Sequence, residues 1–226
     1  MTQLPEYGKR FVQFAVRRGL LRFGEFVTKS GRSSPYFFNT GACADGSSLY
    51  ELGGYYAAAI ADHFEHATLL LGPSYKGITL SAAAAIALSK KRVNPVGFCF
   101  DRKERKDHGE GGLLIGQIPT PGDHVVIVDD VITDGKSKRQ AIKLLEQETG
   151  IHPTGLIVAV DRQERGSSNL SALEELSSEL DLPTTAIATI SQIVDLLSRE
   201  PVDKRLLIDI QLRDRIKSYV HQYAPK

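Results

Sequence analysis

The sequence has no tryptophan, one methionine and two cysteines in 226 residues. Cys43 and Cys99 stand far apart without metal-ligand spacing, so neither a disulfide framework nor a cysteine-built zinc centre has the residues it needs. Both are expected to act as small buried apolar residues. No apolar run approaches membrane-spanning length, and the N-terminal MTQLPEYGKRF lacks an apolar stretch bounded by a cleavage site. The expectation is a cytoplasmic protein that does not engage a membrane. An excess of charge is missing too. Lys+Arg number 28 and Asp+Glu 27, a net +1, so no global basic field recruits nucleic acid and any anion site has to be local.

What is present is ordinary for a globular chain, with 42% hydrophobic and 24% charged residues. The length suits one sizeable α/β core with a small appendage. Apolar residues Phe11, Phe14, Ala15 and Val16 predict a helix between Pro5 and Leu20, ending at Gly19. The stretch from Phe26 to Asn39 (FVTKSGRSSPYFFN) reads as an extended segment folded around a turn. Ser47 or Ser48 is placed to cap a helix reaching about Phe64, with Leu49, Leu52, Tyr56, Ala59 and Ile60 on one face.

Beyond that point short apolar runs alternate with helical patterns. The runs are Leu69 to Leu71, Val96 to Phe100, Val125 to Val128, Leu156 to Val160 and Thr184 to Ala188, and the helices fall near 78–90, 136–148 and 170–180. Strands apolar on both faces and separated by helices predict an α/β fold with a central parallel sheet flanked by helices. Leu113 to Ile118 is a candidate extra strand, and Ser191 to Tyr219 reads as one or two helices around Pro201.

The chemistry concentrates in V-V-I-V-D-D-V-I-T-D-G-K-S at 125–137. A buried strand delivers Asp129 and Asp130 to the carboxyl edge of the sheet, where open α/β sheets bind ligands. The turn from Thr133 to Ser137, through Asp134, Gly135 and Lys136, then opens a helix whose free N–H groups suit a phosphate. An isolated Asp-Asp more often just ends a strand. Beside a phosphate-binding turn, however, the pair supplies acceptors for sugar hydroxyls, and together they describe a phosphorylated ribose.

A nucleoside triphosphatase is the rival reading, and the phosphate loop G-x-x-x-x-G-K-[ST] tests it. Gly72 to Gly77 has Ile78 where the lysine belongs, and Gly135-Lys136-Ser137 has Asp130 where the leading glycine belongs. No G-x-G-x-x-G follows a strand either.

The 125–137 segment resembles the phosphoribosyl pyrophosphate motif of type I phosphoribosyltransferases. From about Phe11 to Arg165 the chain is similar to the orotate phosphoribosyltransferase family, through the segment 26–39, G-P-S-Y-K-G at 72–77, D-R-K-E-R-K-D-H-G-E-G-G at 101–112 and D-R-Q-E-R-G at 161–166. The resemblance implies one unit with an N-terminal hood over about 1–45, an α/β core over about 46–190 and C-terminal helices over about 191–226. It implies magnesium as cofactor and orotate and phosphoribosyl pyrophosphate as substrates. Lys29, Phe37, Phe38 and Arg162, with Thr133, match the positions that hold orotate. A flat pyrimidine carboxylate calls for an aromatic or apolar face and a fork of donors, which arginine supplies. Taken singly, Phe37 and Phe38 would be core residues and Arg162 a surface partner of Glu164.

Tyr75 and Lys76 match a tight loop whose backbone meets pyrophosphate. Arg102, Lys103, Lys106 and His108 match a mobile catalytic loop over 102–112, with glycines at 109, 111 and 112 that would let it close as a lid. The resemblance gives Lys103, His108, Asp129 and Asp130 the catalytic places. Asp129, Asp130, Thr133, Asp134, Gly135, Lys136 and Ser137 fall on the sugar-phosphate side, and no residue is assigned as a direct metal ligand. The resemblance also implies a homodimer in which the loop serves the partner's site. Family members commonly carry a small residue at the position of Asp134, and Lys136 is also unusual; Asp134 is expected to point away from phosphate and help cap the following helix. His63 and His66 read as surface residues at a helix end. A purine phosphoribosyltransferase is disfavoured because a purine has no carboxylate for Arg162. A non-catalytic regulator is disfavoured because the 102–112 loop is intact.

Overall fold

The computed structural model describes residues 3–28, 31–106, 112–132 and 135–225; of Lys103, Arg105 and Lys106 it describes the main chain alone. The chain opens with α1 (Glu6–Arg17), whose Phe11, Val12, Phe14 and Ala15 are buried on one side. Strands β1 (Leu21–Val27) and β2 (Ser33–Phe38) then pair antiparallel as a separate two-stranded sheet, with Arg22 opposite Phe37 and Phe23 opposite Tyr36. The segment 26–39, expected to fold around a turn, thus runs from the end of β1 to β2 in a hairpin that begins earlier, at Leu21. Helix α2 (Gly46–His63) follows. Its cap is Asp45, whose side chain accepts from the Ser48 N–H at 2.8 Å, rather than Ser47 or Ser48. Asp outbids Ser here because the Ser48 hydroxyl is itself a donor to Asp45 Oδ2 at 3.0 Å.

The main sheet comprises β3 (Leu69–Gly72), β4 (Gly97–Lys106), β5 (Gly112–Gly116), β6 (Val125–Val131), β7 (Gly155–Asp161) and β8 (Thr184–Thr189), in the order β5-β4-β3-β6-β7-β8. All neighbours run parallel except β4 and β5. The expected parallel α/β sheet is therefore observed, with the extra strand as an antiparallel edge. Helices α3 (Lys76–Ser89), α4 (Lys136–Thr149) and α5 (Ala172–Leu180) connect the strands, and α6 (Ile190–Leu197) and α7 (Ile210–Tyr223) form the tail on either side of Pro201.

Alternation along each strand divides the core in two. Leu70, Val126, Val128, Ile157 and Ala159 face α1, α2, α3 and α6, while Leu69, Leu71, Ile127, Leu156 and Val158 face Ala141, Ile142 and Leu145 of α4 and Leu176 of α5. Cys99 lies buried in the second layer, but Cys43 is only half-buried. His63 and His66 are exposed at the end of α2 as expected.

One expectation is corrected. The run from Arg102 was read as loop, yet β4 continues to Lys106, which pairs with Gly112 across the hairpin. Charged residues give no apolar period to read, and what reveals the strand is its main-chain pairing with β5.

Candidate active site

Parallel strands bring their carboxyl ends to one edge. Four segments meet there: the turn after β3, the outer part of β4, the end of β6 with the start of α4, and the turn after β7. The first needs its glycines. A Cβ on Gly72 would lie 2.0 Å from Gly77 O, and one on Gly77 would lie 2.9 Å from Val128 O, so strand and helix approach closer than any side chain permits. Ser74 is fastened to Asp101 by its N–H at 2.6 Å and its hydroxyl at 2.7 Å, which ties this turn to β4. Tyr75 is 66% exposed at the turn's tip, and Lys76 begins α3.

Asp129 and Asp130 lie in the last part of β6 and are 6% and 7% exposed. Each has a lysine. Lys76 Nζ is 2.6 Å from Asp130 Oδ2, and Lys138 Nζ is 2.5 Å from Asp129 Oδ2 while also donating to Val131 O at 2.7 Å. Lys138 is itself buried, and Tyr56 donates its hydroxyl to Asp129 O at 2.7 Å from beneath. Burial pushes the Asp129 carboxyl above the ordinary carboxylate range, against the pull of Lys138. Gly135 caps α4 in the left-handed conformation, φ 67°, and Lys136 and Ser137 are exposed in the first turn. Thr133 and Asp134 lie outside the described residues, as do Lys29 and His108 and the side chains of Lys103 and Lys106. Arg102 is half-buried, with an Nη1 that is buried and has no hydrogen-bond partner among the described residues.

Arg162 follows β7. It is no surface residue: its side chain is 10% exposed, donating through Nε to Glu164 Oε1 at 2.8 Å and through Nη2 to the same oxygen, to Ser34 Oγ at 3.3 Å and to Tyr219 Oη at 3.4 Å. Its guanidinium lies 4.5 Å from the centre of the Tyr36 ring. Burial works against its charge, but Tyr36, Glu164 and Tyr219 outweigh that and raise its pKa above the ordinary arginine value. Ser34, Tyr36 and Phe38 share one face of β2, so the Phe37 ring points to the other. Phe37 is half-buried and stacks on Phe26 at 5.4 Å, with Arg22 over both rings. Phe38 is buried against Phe11 at 6.1 Å in the core, the role its apolar surroundings would give it singly. The structure thus brings Arg162 to Ser34 and Tyr36 and leaves the Phe37 ring on the opposite face.

Three participants were not singled out from sequence. Lys138 had a signal, since it shares helical spacing with Ala141, Ile142 and Leu145, and a lysine on a buried stripe requires a partner. Glu164 is legible only as a surface partner of Arg162, and Tyr219 had no signal, because its meeting with Glu164 depends on α7 packing beside β2. For magnesium, the donor set is two aspartates that each already hold a lysine, and no group of three His, Cys, Asp or Glu converges among the described residues. That set fits an ion carried by substrate oxygens beside one or two carboxylates rather than a protein cage.

Residues 45–171 match the phosphoribosyl transferase domain model. Orotate phosphoribosyltransferase of Pseudomonas fluorescens Pf-5 is 45% identical over 221 residues, covering 98% of this chain and all of the relative. That of Lachnoclostridium phytofermentans is 42% identical over 98% of this chain and 99% of its own. Among solved structures, orotate phosphoribosyltransferase of Francisella tularensis superposes with a TM-score of 0.81 at 31% identity, covering 95% of this chain and 99% of the other. With the sheet order, the carboxyl-edge aspartates and near-full-length identity all agreeing, the chain belongs to the phosphoribosyltransferases and, within them, to the orotate phosphoribosyltransferase family.

Proposed function

We propose that the protein transfers ribose 5-phosphate from phosphoribosyl pyrophosphate to orotate, giving orotidine 5-phosphate and pyrophosphate, in the route to pyrimidine nucleotides. The observation that carries this reading is the placing of Asp129 and Asp130, the α4 N-terminus and Arg162 on one sheet edge. Breaking the bond at the anomeric carbon develops positive charge on the ribose ring and negative charge on pyrophosphate, so the site has to stabilise both and needs no protein nucleophile. Asp129 and Asp130 accept the ribose hydroxyls and face the ring charge. The main-chain N–H groups of Gly135, Lys136 and Ser137 receive the 5-phosphate with Thr133 and Asp134 alongside, helped by the dipole of α4.

Tyr75 and Lys76 bring the turn's backbone to pyrophosphate. Arg102, with its unpartnered Nη1, and Lys103, Lys106 and His108 neutralise pyrophosphate as it leaves. Asp129 and Asp130 are the carboxylates that would stand beside a magnesium ion brought in on the substrate's oxygens, and such an ion would supply further positive charge to the leaving group. Orotate lies under the β1–β2 hood, its carboxylate on Arg162 and Lys29. The main chain of Phe37 and Phe38 can serve it more readily than the Phe38 ring, which is committed to the core. The enzyme acts in the cytoplasm as a homodimer.

Base-dependent pyrophosphate release with orotate, uracil and hypoxanthine, each with phosphoribosyl pyrophosphate and magnesium, tests the reading. Turnover is expected with orotate alone. Turnover of hypoxanthine in its place would assign a purine enzyme, and binding of phosphoribosyl pyrophosphate with no turnover of any base would assign a regulator.

A further inference from the structure

Glu164 has no part in the scheme above, yet it is the most heavily used carboxylate on this edge. Its side chain is 13% exposed. Oε1 accepts from Arg162 Nε and Nη2, from the Tyr219 hydroxyl at 2.9 Å and from the Tyr36 hydroxyl at 3.4 Å, while Oε2 accepts from Arg32 Nη1 at 3.1 Å. Two consequences follow. The Nε side of the Arg162 fork is engaged and its plane is set by Tyr36, whereas Nη1 has no partner among the described residues. Two guanidiniums also share one carboxylate, which leaves one positive charge uncompensated. Asp161, another carboxyl whose field reaches Glu164, accepts from the Gln163 N–H at 2.8 Å and pairs with neither arginine.

We propose that Glu164 is a positioning residue for orotate recognition: it fixes Arg162 so that Nη1 faces the base site, and, shared with Arg32, it leaves the cluster one negative charge short, the charge that the substrate carboxylate supplies. This rests on the reading that Arg162 holds orotate. Arg32 thereby contributes to orotate affinity through the balance of charge without touching the base. Its guanidinium, 4.7 Å from the Tyr223 ring centre, is held in place by α7.

The test compares Glu164→Gln, Arg32→Gln and Arg162→Ala, measuring kcat, the KM of each substrate and the thermal midpoint. Glu164→Gln raises the cluster of two arginines and one glutamate from +1 to +2, which by charge alone favours the carboxylate, but loss of the fixed Arg162 fork outweighs this. The KM for orotate is therefore expected to rise roughly tenfold, with kcat and the KM for phosphoribosyl pyrophosphate changed less than about threefold. Glu164→Asp, which keeps the charge, should recover part of that loss. Arg32→Gln makes the cluster neutral and should raise the KM for orotate several-fold; it serves alone if Glu164→Gln does not fold. A merely structural glutamate would lower the thermal midpoint and move both KM values together, which would overturn the proposal. So would an unchanged or lower KM for orotate in Glu164→Gln or Arg32→Gln while Arg162→Ala raises it. If Arg162→Ala itself leaves the KM for orotate unchanged, the assignment of Arg162 fails and this proposal goes with it.

Discussion

A lysine buried against an aspartate makes the charge of each depend on the other. Lys138 and Asp129 are 5% and 6% exposed and only 2.5 Å apart, so Lys138→Met would strand a carboxylate, a loss of about 3–5 kcal/mol if the charge stayed. Protonation offers Asp129 a way out. Burial already raises its pKa with Lys138 in place, and without the lysine the folded value climbs further. For a carboxyl whose folded value lies above its unfolded one, stability is fully present below the unfolded value, about 3.9, and is lost as pH rises through the folded value. The deficit of the variant should therefore widen as pH climbs past the folded Asp129 value of the unaltered protein. Urea unfolding across a pH series, without substrate or magnesium, checks this, and a deficit equal at every pH would refute it.

At the scale of elements, the crossing of α2 and α3 separates two adjacent glycines. A Cβ on Gly53 would come within 2.6 Å of the Ala83 carbonyl carbon and oxygen, while one on Gly54 meets nothing within 4 Å. Neither residue takes a left-handed conformation, so helix propensity and contact alone decide the outcome. Gly54→Ala is expected to stabilise the protein by about 0.5–1 kcal/mol, since alanine loses less backbone entropy in a helix. Gly53→Ala is expected to cost about 1–3 kcal/mol because the two helix backbones have to part. Denaturant midpoints with equal slopes would establish the opposite signs, and a shared sign would mean that the close approach is not maintained. The same crossing keeps Tyr56, on α2, beneath Asp129.

For the molecule as a whole, the resemblance implies that each site borrows the partner's 102–112 loop, and carboxylates crowded beside a polyanionic substrate would be one motive for it. That motive weakens, because Lys76 and Lys138 of the same chain already offset Asp130 and Asp129. What remains is the departing pyrophosphate, whose several charges exceed what one Arg102 on β4 can meet. Mixing Lys103→Ala with Arg162→Ala, each nearly inactive alone, separates the cases. If the loop acts across the dimer, a mixed dimer gathers both defects in one site and frees the other, and activity returns on subunit exchange. A loop that closes over its own subunit leaves every site with one defect, and mixing restores nothing.

The strands of the parallel sheet, the helices between them and the aspartate-bearing end of β6 were legible in the chain itself, because burial on both faces and helical periodicity leave their mark on consecutive residues. The hairpin around Ser33–Phe38 was legible in outline, and the edge strand β5 as well. The full length of β4 was not, since main-chain pairing holds charged residues without any apolar pattern. Which face Phe37 and Phe38 present, that Asp129 and Asp130 each hold a lysine, and that Glu164 gathers Arg32, Tyr36, Arg162 and Tyr219 were settled only by tertiary structure. Those facts join residues up to 132 positions apart, and their energies come from burial and shared charge, which no local window of sequence contains.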